Sequence, residues 1–225
     1  MGTIKVDELV RSRRKTIALV VQPDGRLVVR APLRVSQKII DAFVASKTDW
    51  IEKTRQSQHT RRKFFPQRHF LPGELFWYLG KQYPLQLAPP QRPPLQFYLA
   101  FSLEEKSIPH AKKHLEAWYR EQARLYLTER VTYFAHLYNF HYQKIRISSA
   151  RTRWGSCSAH GTLSFTWRLI MSPPEIIDYV VIHELAHTVH HNHSQSFWML
   201  VQSMVPDYAE KRKWMKKNSY LFHWD

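Results

Sequence analysis

Residues 172–193 read SPPEIIDYVVIHELAHTVHHNH, and the rest of the chain is organised around them. The stretch holds His183-Glu184-Leu185-Ala186-His187, an H-E-x-x-H pattern, with a further histidine at His193. Such a pattern has chemical meaning only on a helix. There, positions i and i+4 share one face a turn apart, so His183 and His187 present two imidazoles to one metal ion. Glu184 then stands beside the open coordination position as a base for a bound water.

The surrounding residues argue for that helix. Ser172-Pro173-Pro174-Glu175 matches a capping box, which predicts Ser172 as the N-cap and Pro173 as the first helical residue. Ile176, Ile177, Tyr179, Val180, Val181 and Ile182 follow as a nearly unbroken apolar run, so the helix is expected to be buried on most sides. Asn192 is a residue type that tolerates the left-handed conformation, which predicts a helix stop there. His193 then folds back as the third ligand. His190 and His191 compete for that role, His190 also as a group outside the ligand shell; His193 is favoured because it lies beyond the helix end.

Working outward, 225 residues suit one large domain or two small ones, and 44% hydrophobic residues suffice for a core. The single cysteine, Cys157, excludes an intrachain disulfide framework and fits a reducing compartment. No apolar leader stands at the N-terminus and no run reaches the ~18 residues of a membrane span. The expectation is a cytoplasmic protein without a membrane partner. The net charge is +16, of which residues 1–100 carry +11. A field of this size attracts nucleic acid, anionic lipid or acidic proteins, or serves solubility alone.

Before the histidines, Thr16–Gln22 and Arg26–Ala31 flank Pro23-Asp24-Gly25 as a hairpin. One helix is predicted from Ser36 to about Ser57, on the stripe Ile39, Ile40, Phe43, Val44, Trp50 and Ile51. Gly80-Lys81 predicts a second hairpin, with Pro84 placing its strand at a sheet edge. Leu95, Phe97, Leu99 and Phe101 alternate as one further strand, and residues 107–139 carry a long helical pattern whose aromatics are expected in the core. Lys144–Ser148 reads as a strand, and residues 151–167 as a hairpin just ahead of the histidine helix. Gly155 in that hairpin permits close backbone approach, and its strand could pair with an extended peptide. After His193, Ser194 caps one helix, Asp207 begins another, and Tyr220, Phe222 and Trp224 form a docked tail. The fold class expected is α+β. A small antiparallel β-rich part carrying one helix (residues 1–105) precedes the domain that holds the H-E-x-x-H helix (residues 106–225).

Three neutral imidazoles and a water make an open zinc site, one Zn2+ per chain. Zinc lowers the pKa of its water from ~15.7 toward ~7. Glu184 is the catalytic base, and amide hydrolysis is the reaction that uses all of these parts. Imidazole also suits nickel, cobalt or iron. Arg153, Gly155, Tyr179 and His190 are the candidates for contact with substrate or with the outer side of the ligands. Arg153, His160, Arg168 and Tyr179 are candidates for the oxyanion by nearness in sequence.

Arg153-Trp154-Gly155-Ser156-Cys157, the Pro-Pro-Glu-x-Ile-x-Asp-Tyr-Val-Val segment, His183–His187 and Asn192-His193-Ser194-x-x-Phe197-Trp198 together resemble the YgjP-like metallopeptidases. These are grouped with the zincin metalloproteases and with SprT-type proteases of DNA–protein crosslink repair. The resemblance extends to Arg13-Arg14-Lys15, Asp24-Gly25 and Lys47–Trp50-Ile51, and is weakest over about 56–107. It implies a zincin-like domain with zinc on His183, His187 and His193 and Glu184 catalytic. The ligand spacing is also that of the metzincins, but His190 stands where they have glycine, and no Met-turn is evident.

Three functions compete. The first is a zinc-dependent metallopeptidase acting on a peptide or protein substrate. The second is a DNA-associated protease recruited through the basic N-terminal half. The third is a non-catalytic, zinc-stabilised nucleic-acid-binding protein, in which Glu184 is incidental.

Overall fold

The computed structural model describes residues 4–22, 24–64, 68–218 and 221. The chain divides into two compact units, 1–66 and 67–225.

In the first unit, β1 (Glu8–Ser12), β2 (Ala18–Val21) and β3 (Leu27–Pro32) form a sheet in the order β1-β3-β2. The β2–β3 hairpin has the expected faces, with Leu19 opposite Val29 and Val21 opposite Leu27. Strand β1 has no apolar alternation to announce it. It pairs parallel to β3, and Arg11 Nη1 donates to Val35 O at 2.7 Å. The single helix expected over residues 36–57 is two, α1 (Gln37–Ala45) and α2 (Thr48–Phe64). Side chains break it: Ser46 Oγ donates to Phe43 O and Thr48 Oγ1 to Ala45 O, drawing carbonyls out of the ladder. The buried positions Ile40, Val44 and Ile51 keep helical spacing across the break, so periodicity does not reveal it.

The second unit begins with β4 (Leu75–Tyr78), β5 (Lys81–Ala88), β6 (Leu95–Phe97) and β7 (Phe101–Glu104), in the order β4-β5-β7-β6. Strand β5 is therefore interior, not an edge. Pro84 is tolerated because it sits where β5 changes partner: Pro84 opposes Leu75 of β4, and Leu85 opposes Phe101 of β7. The alternation from Leu95 to Phe101 spans a reversal, and Tyr98 and Leu99 stand exposed at its tip. Two pairings in the first hundred residues, β1·β3 and β5·β7, are parallel, against the antiparallel expectation.

A short 3-10 segment, Glu105–His110, leads into α3 (Ala111–Leu137). This helix buries Leu115, Tyr119, Ala123, Leu127, Val131 and Phe134, one residue per turn along one face. Its aromatics lie in the core as expected; Tyr119 donates its hydroxyl to Trp77 O at 2.6 Å. Strands β8 (Lys144–Ser148), β9 (Gly155–Cys157) and β10 (Thr162–Thr166) follow, in the order β8-β10-β9, so β9 is an edge strand. The 3-10 segment Trp167–Met171 then carries the chain into α4 (Pro174–Ala186), α5 (Gln195–Met204) and α6 (Tyr208–Lys217).

One core joins Phe76, Leu85 and Phe101 of the second sheet to Leu115 and Tyr119 of α3 and to Ile177 and Val181 of α4. The sheet has no helix of its own to cover it and borrows α3. The division in contacts therefore falls at 66/67, whereas the sequence pattern changes near 105/106. Among the described residues no helix is long and apolar enough to cross a membrane. The tail residues Tyr220, Phe222 and Trp224 lie outside the described residues.

Candidate metal centre

Helix α4 starts one residue later than its capping box implies. Pro173 is the N-cap, and its carbonyl accepts from the amides of Ile176 and Ile177 at 3.0 and 3.1 Å. Pro174 has no amide to satisfy, so the Ser172 side chain is not needed as a cap. Its hydroxyl is buried without a hydrogen-bond partner. The helix carries an apolar surface on nearly every side: Ile176, Ile177, Val180, Val181, Ile182 and Leu185 are all buried. Between α3 and α4, Arg130 donates from Nε and Nη2 to both carboxylate oxygens of Asp178, at 2.6 and 2.8 Å.

The far end of α4 also differs from expectation. The helix closes at Ala186, with tightened bonds from the Thr188 and Val189 amides to the carbonyls of Leu185 and Ala186. Asn192 is not left-handed; among the described non-glycine residues only Phe70, Leu79 and Asn139 have positive φ. Its Oδ1 instead accepts from the Ser194 amide at 3.3 Å. Ser194 Oγ then accepts from the Phe197 amide and caps α5, as expected. Asp207 precedes α6, but its carboxylate pairs with Lys211 rather than capping.

This chain path brings three imidazoles together. His183 comes from the last turn of α4, His187 from its C-cap, and His193 from the loop before α5. His193 Nε2 lies 3.1 Å from His183 Nε2 and 3.2 Å from His187 Nε2. The ligand atoms of all three fall within 4.8 Å of one another. Hydrogen bonds alone do not account for three ring nitrogens turned on one point, since each proton serves one pair. Zinc–nitrogen bonds of ~2.0–2.1 Å in a tetrahedron separate the nitrogens by ~3.3 Å. The donor set therefore fits a metal ion.

The ligand rings are held from outside. His187 Nδ1 donates to His190 O at 2.9 Å, which leaves its Nε2 as the lone-pair nitrogen. His190 thus acts through its main chain. Phe197, fully buried, stacks on His187 at 4.4 Å and meets His183 and His193 edge-on, each at 4.9 Å. Trp198 stacks on His193 at 5.4 Å. Burial pushes His183 down to about 3, helped by His187, His193 and Arg212. Burial also lowers His187, the His190 carbonyl opposing it. Both are thereby neutral near pH 7, the form a metal needs.

Glu184 is buried beside the triad, with Oε2 making no hydrogen bond. Burial lifts its carboxyl to about 8, and the charge of Arg153 pulls it partly back. Gly155 of β9 lies directly against it. A Cβ at Gly155 would stand 2.5 Å from Glu184 Oε1 and 2.6 Å from its Cγ. Tyr179, one turn before His183, turns its ring toward that imidazole at 5.9 Å, and burial pushes its hydroxyl up to about 12.

The structure thus gathers His183, Glu184, His187, His193, Gly155 and Tyr179, with Arg153 felt through its charge. His160 stands exposed in the β9–β10 turn, and Arg168 is buried over the Trp167 ring at 4.2 Å, donating to Ser149 O. The ring-holding role of Phe197 and Trp198 and the nearness of Arg212 were not apparent from sequence. Phe197 fits an ordinary apolar stripe, and Arg212 lies on a helix whose placement no local pattern gives. The signal present was the aromatic pair four and five residues after His193.

A buried carboxyl next to three converging imidazoles is the side-chain set of a metal-dependent hydrolase. The chain belongs to the YgjP-like family: the profile of the YgjP-like metallopeptidase domain matches residues 15–218. A solved structure, the metallopeptidase zymogen abylysin of Pyrococcus abyssi, is similar at 23% identity and a TM-score of 0.37, over 40% of this chain and 93% of that one. No curated protein matches the sequence.

Proposed function

We propose that the chain is a zinc-dependent peptidase with a zincin-like active site, in which His183, His187 and His193 hold the ion and Glu184 is the general base. The observation that carries this reading is the convergence of the three Nε2 atoms next to a buried carboxylate. When bound, zinc supplies Lewis acidity and an acidified water. Glu184 takes the water's proton and passes it to the leaving amine. Burial alone lifts its carboxyl to about 8, and the positive charge of a bound ion would draw it back toward the ionised form that a base needs. Among the described residues strand β9 has one side without a partner strand, and its backbone lies against Glu184. An extended peptide pairing with that edge runs past the base.

The test is the full-length Glu184→Gln protein. It should keep about one zinc per chain and lose hydrolysis of a protein substrate that the wild type cleaves. Zinc loss in the variant, or a wild type inert toward a broad protein panel, would count against the reading. The same variant separates the peptidase from a zinc-stabilised binding protein, whose function Glu184→Gln leaves intact.

Residues 1–66 carry fifteen Lys and Arg against six Asp and Glu. That charge favours a second reading, a protease brought to DNA by this unit. Its binding to DNA should weaken steeply with salt; no affinity at low salt removes it. The lone cysteine fits the cytoplasm as its location.

A further inference from the structure

Several arginines among the described residues pair with carboxylates, such as Arg68 with Glu74, Arg124 with Glu121 and Arg130 with Asp178. Two arginines bordering the histidines do not. Arg212, exposed on α6, stacks its guanidinium on Trp198 at 5.0 Å, and Trp198 stacks in turn on His193 at 5.4 Å. Arg212 is thus one aromatic ring away from a metal-site histidine. Arg153 is exposed two residues before Gly155, whose backbone lies against Glu184. Among the described residues neither has a carboxylate at ion-pair distance.

Stacking on an indole occupies the face of a guanidinium and leaves its edge donors free. Those donors form a fork that matches a carboxylate in two parallel hydrogen bonds. The site's own carboxylate, Glu184, is buried behind Gly155 and does not neutralise them. Lys213, Lys216 and Lys217 on the same helix extend the positive field, which raises the local concentration of an acidic partner.

We propose that Arg212, assisted by Arg153, binds a carboxylate of the substrate, so that the metal site selects acidic peptides. The proposal rests on the peptidase reading for the identity of the bound chain. Its test reads binding, so the two can fail separately. The carboxylate is either that of a Glu or Asp side chain or the free C-terminus.

The experiment uses the full-length, zinc-loaded Glu184→Gln protein and fluorescence anisotropy with three labelled peptides. One contains Glu and ends in an amide, one is its Gln counterpart, and one is that Gln peptide with a free C-terminus. Either acidic peptide should bind about 10-fold more tightly than the neutral one, a difference of ~1.4 kcal/mol. Whichever does so identifies the source of the carboxylate. Adding Arg212→Gln should bring the affinities within about twofold, Arg153→Gln should reduce the gap partly, and Arg212→Lys, which keeps the charge but not the fork, should restore only part of it, all in proteins of unchanged melting temperature. Equal binding of all three peptides overturns the proposal, as does a preference that survives Arg212→Gln. So does binding of a single-stranded oligonucleotide that needs Arg212 while the acidic peptides show no advantage. A retained preference in a wild type that cleaves nothing would overturn the peptidase reading and leave this one standing.

Discussion

Gly155 and Glu184 are in contact, the backbone of an edge strand lying on the carboxylate of the neighbouring helix, with room for no more than a hydrogen where a Cβ would be. The obstruction is the carboxylate itself, so a larger residue at 155 must move either β9 or the base.

Gly155→Ala should therefore leave zinc content unchanged and lower kcat/KM by about 10²-fold, with a stability loss of ~1–3 kcal/mol from overpacking. A misplacement near 1 Å has effects of this size on a catalytic group. Metal analysis and steady-state kinetics on one preparation check it. Full activity would mean that the position of Glu184 does not matter.

Phe197→Leu keeps most of the buried volume and removes the ring stacked on His187. Stability should fall by less than ~1.5 kcal/mol. Zinc affinity should fall by about 10–100-fold, the range seen when groups that orient metal ligands are lost. Competition with a chromogenic chelator measures the affinity, and urea titration the stability.

The metal-free protein should have a stability maximum on the acid side of neutrality. His183 is pushed down to about 3 from 6.5, so below 6.5 the unfolded chain binds the extra proton and stability rises with pH. Glu184 is lifted to about 8 from 4.5, so above 4.5 the folded chain keeps a proton the unfolded chain has released. That contribution falls as pH rises, and from 6.5 to 8 Glu184 acts without His183 opposing it. Urea midpoints in EDTA should drop across that window, and Glu184→Gln should flatten the drop. A wild-type curve already flat there would contradict a buried, unpartnered carboxyl.

The Arg130–Asp178 pair clamps α4 to α3 through two charge-assisted bonds on a partly exposed surface. A double-mutant cycle with Arg130→Met and Asp178→Asn should give a coupling of about 1–2 kcal/mol. A coupling near zero would place the helix contact in the apolar core alone.

The sequence spoke most clearly where chemistry is local. H-E-x-x-H spacing, the apolar run before it and the hairpin glycines each depend on residues within a few positions, and each maps onto an observed element. What it hid depended on distant partners. Strand β1 exists because β3 offers it an edge, and Pro84 is tolerated because β5 changes neighbours there. The α1–α2 break is invisible because Ile40, Val44 and Ile51 stay in phase across it. At the site, His183, His187 and His193 come together as spacing suggested, but the means were misread: Ser172 does not cap and Asn192 does not turn. Arg212 reaches the site only because α5 and α6 fold back over α4, which no window around Arg212 encodes.

The three histidines are not mechanically equivalent. His183 and His187 are fixed to the packed end of α4 against Phe197, while His193 is exposed on a short loop whose far side is tied by Asn192 and Ser194. On the proposed ligand set, an ion leaves by first losing His193, because lifting that loop disturbs the core least. Affinity would then be governed by the helix and residence time by the loop, so substitutions at Asn192 would speed metal exchange in both directions while scarcely changing how much metal is bound at equilibrium.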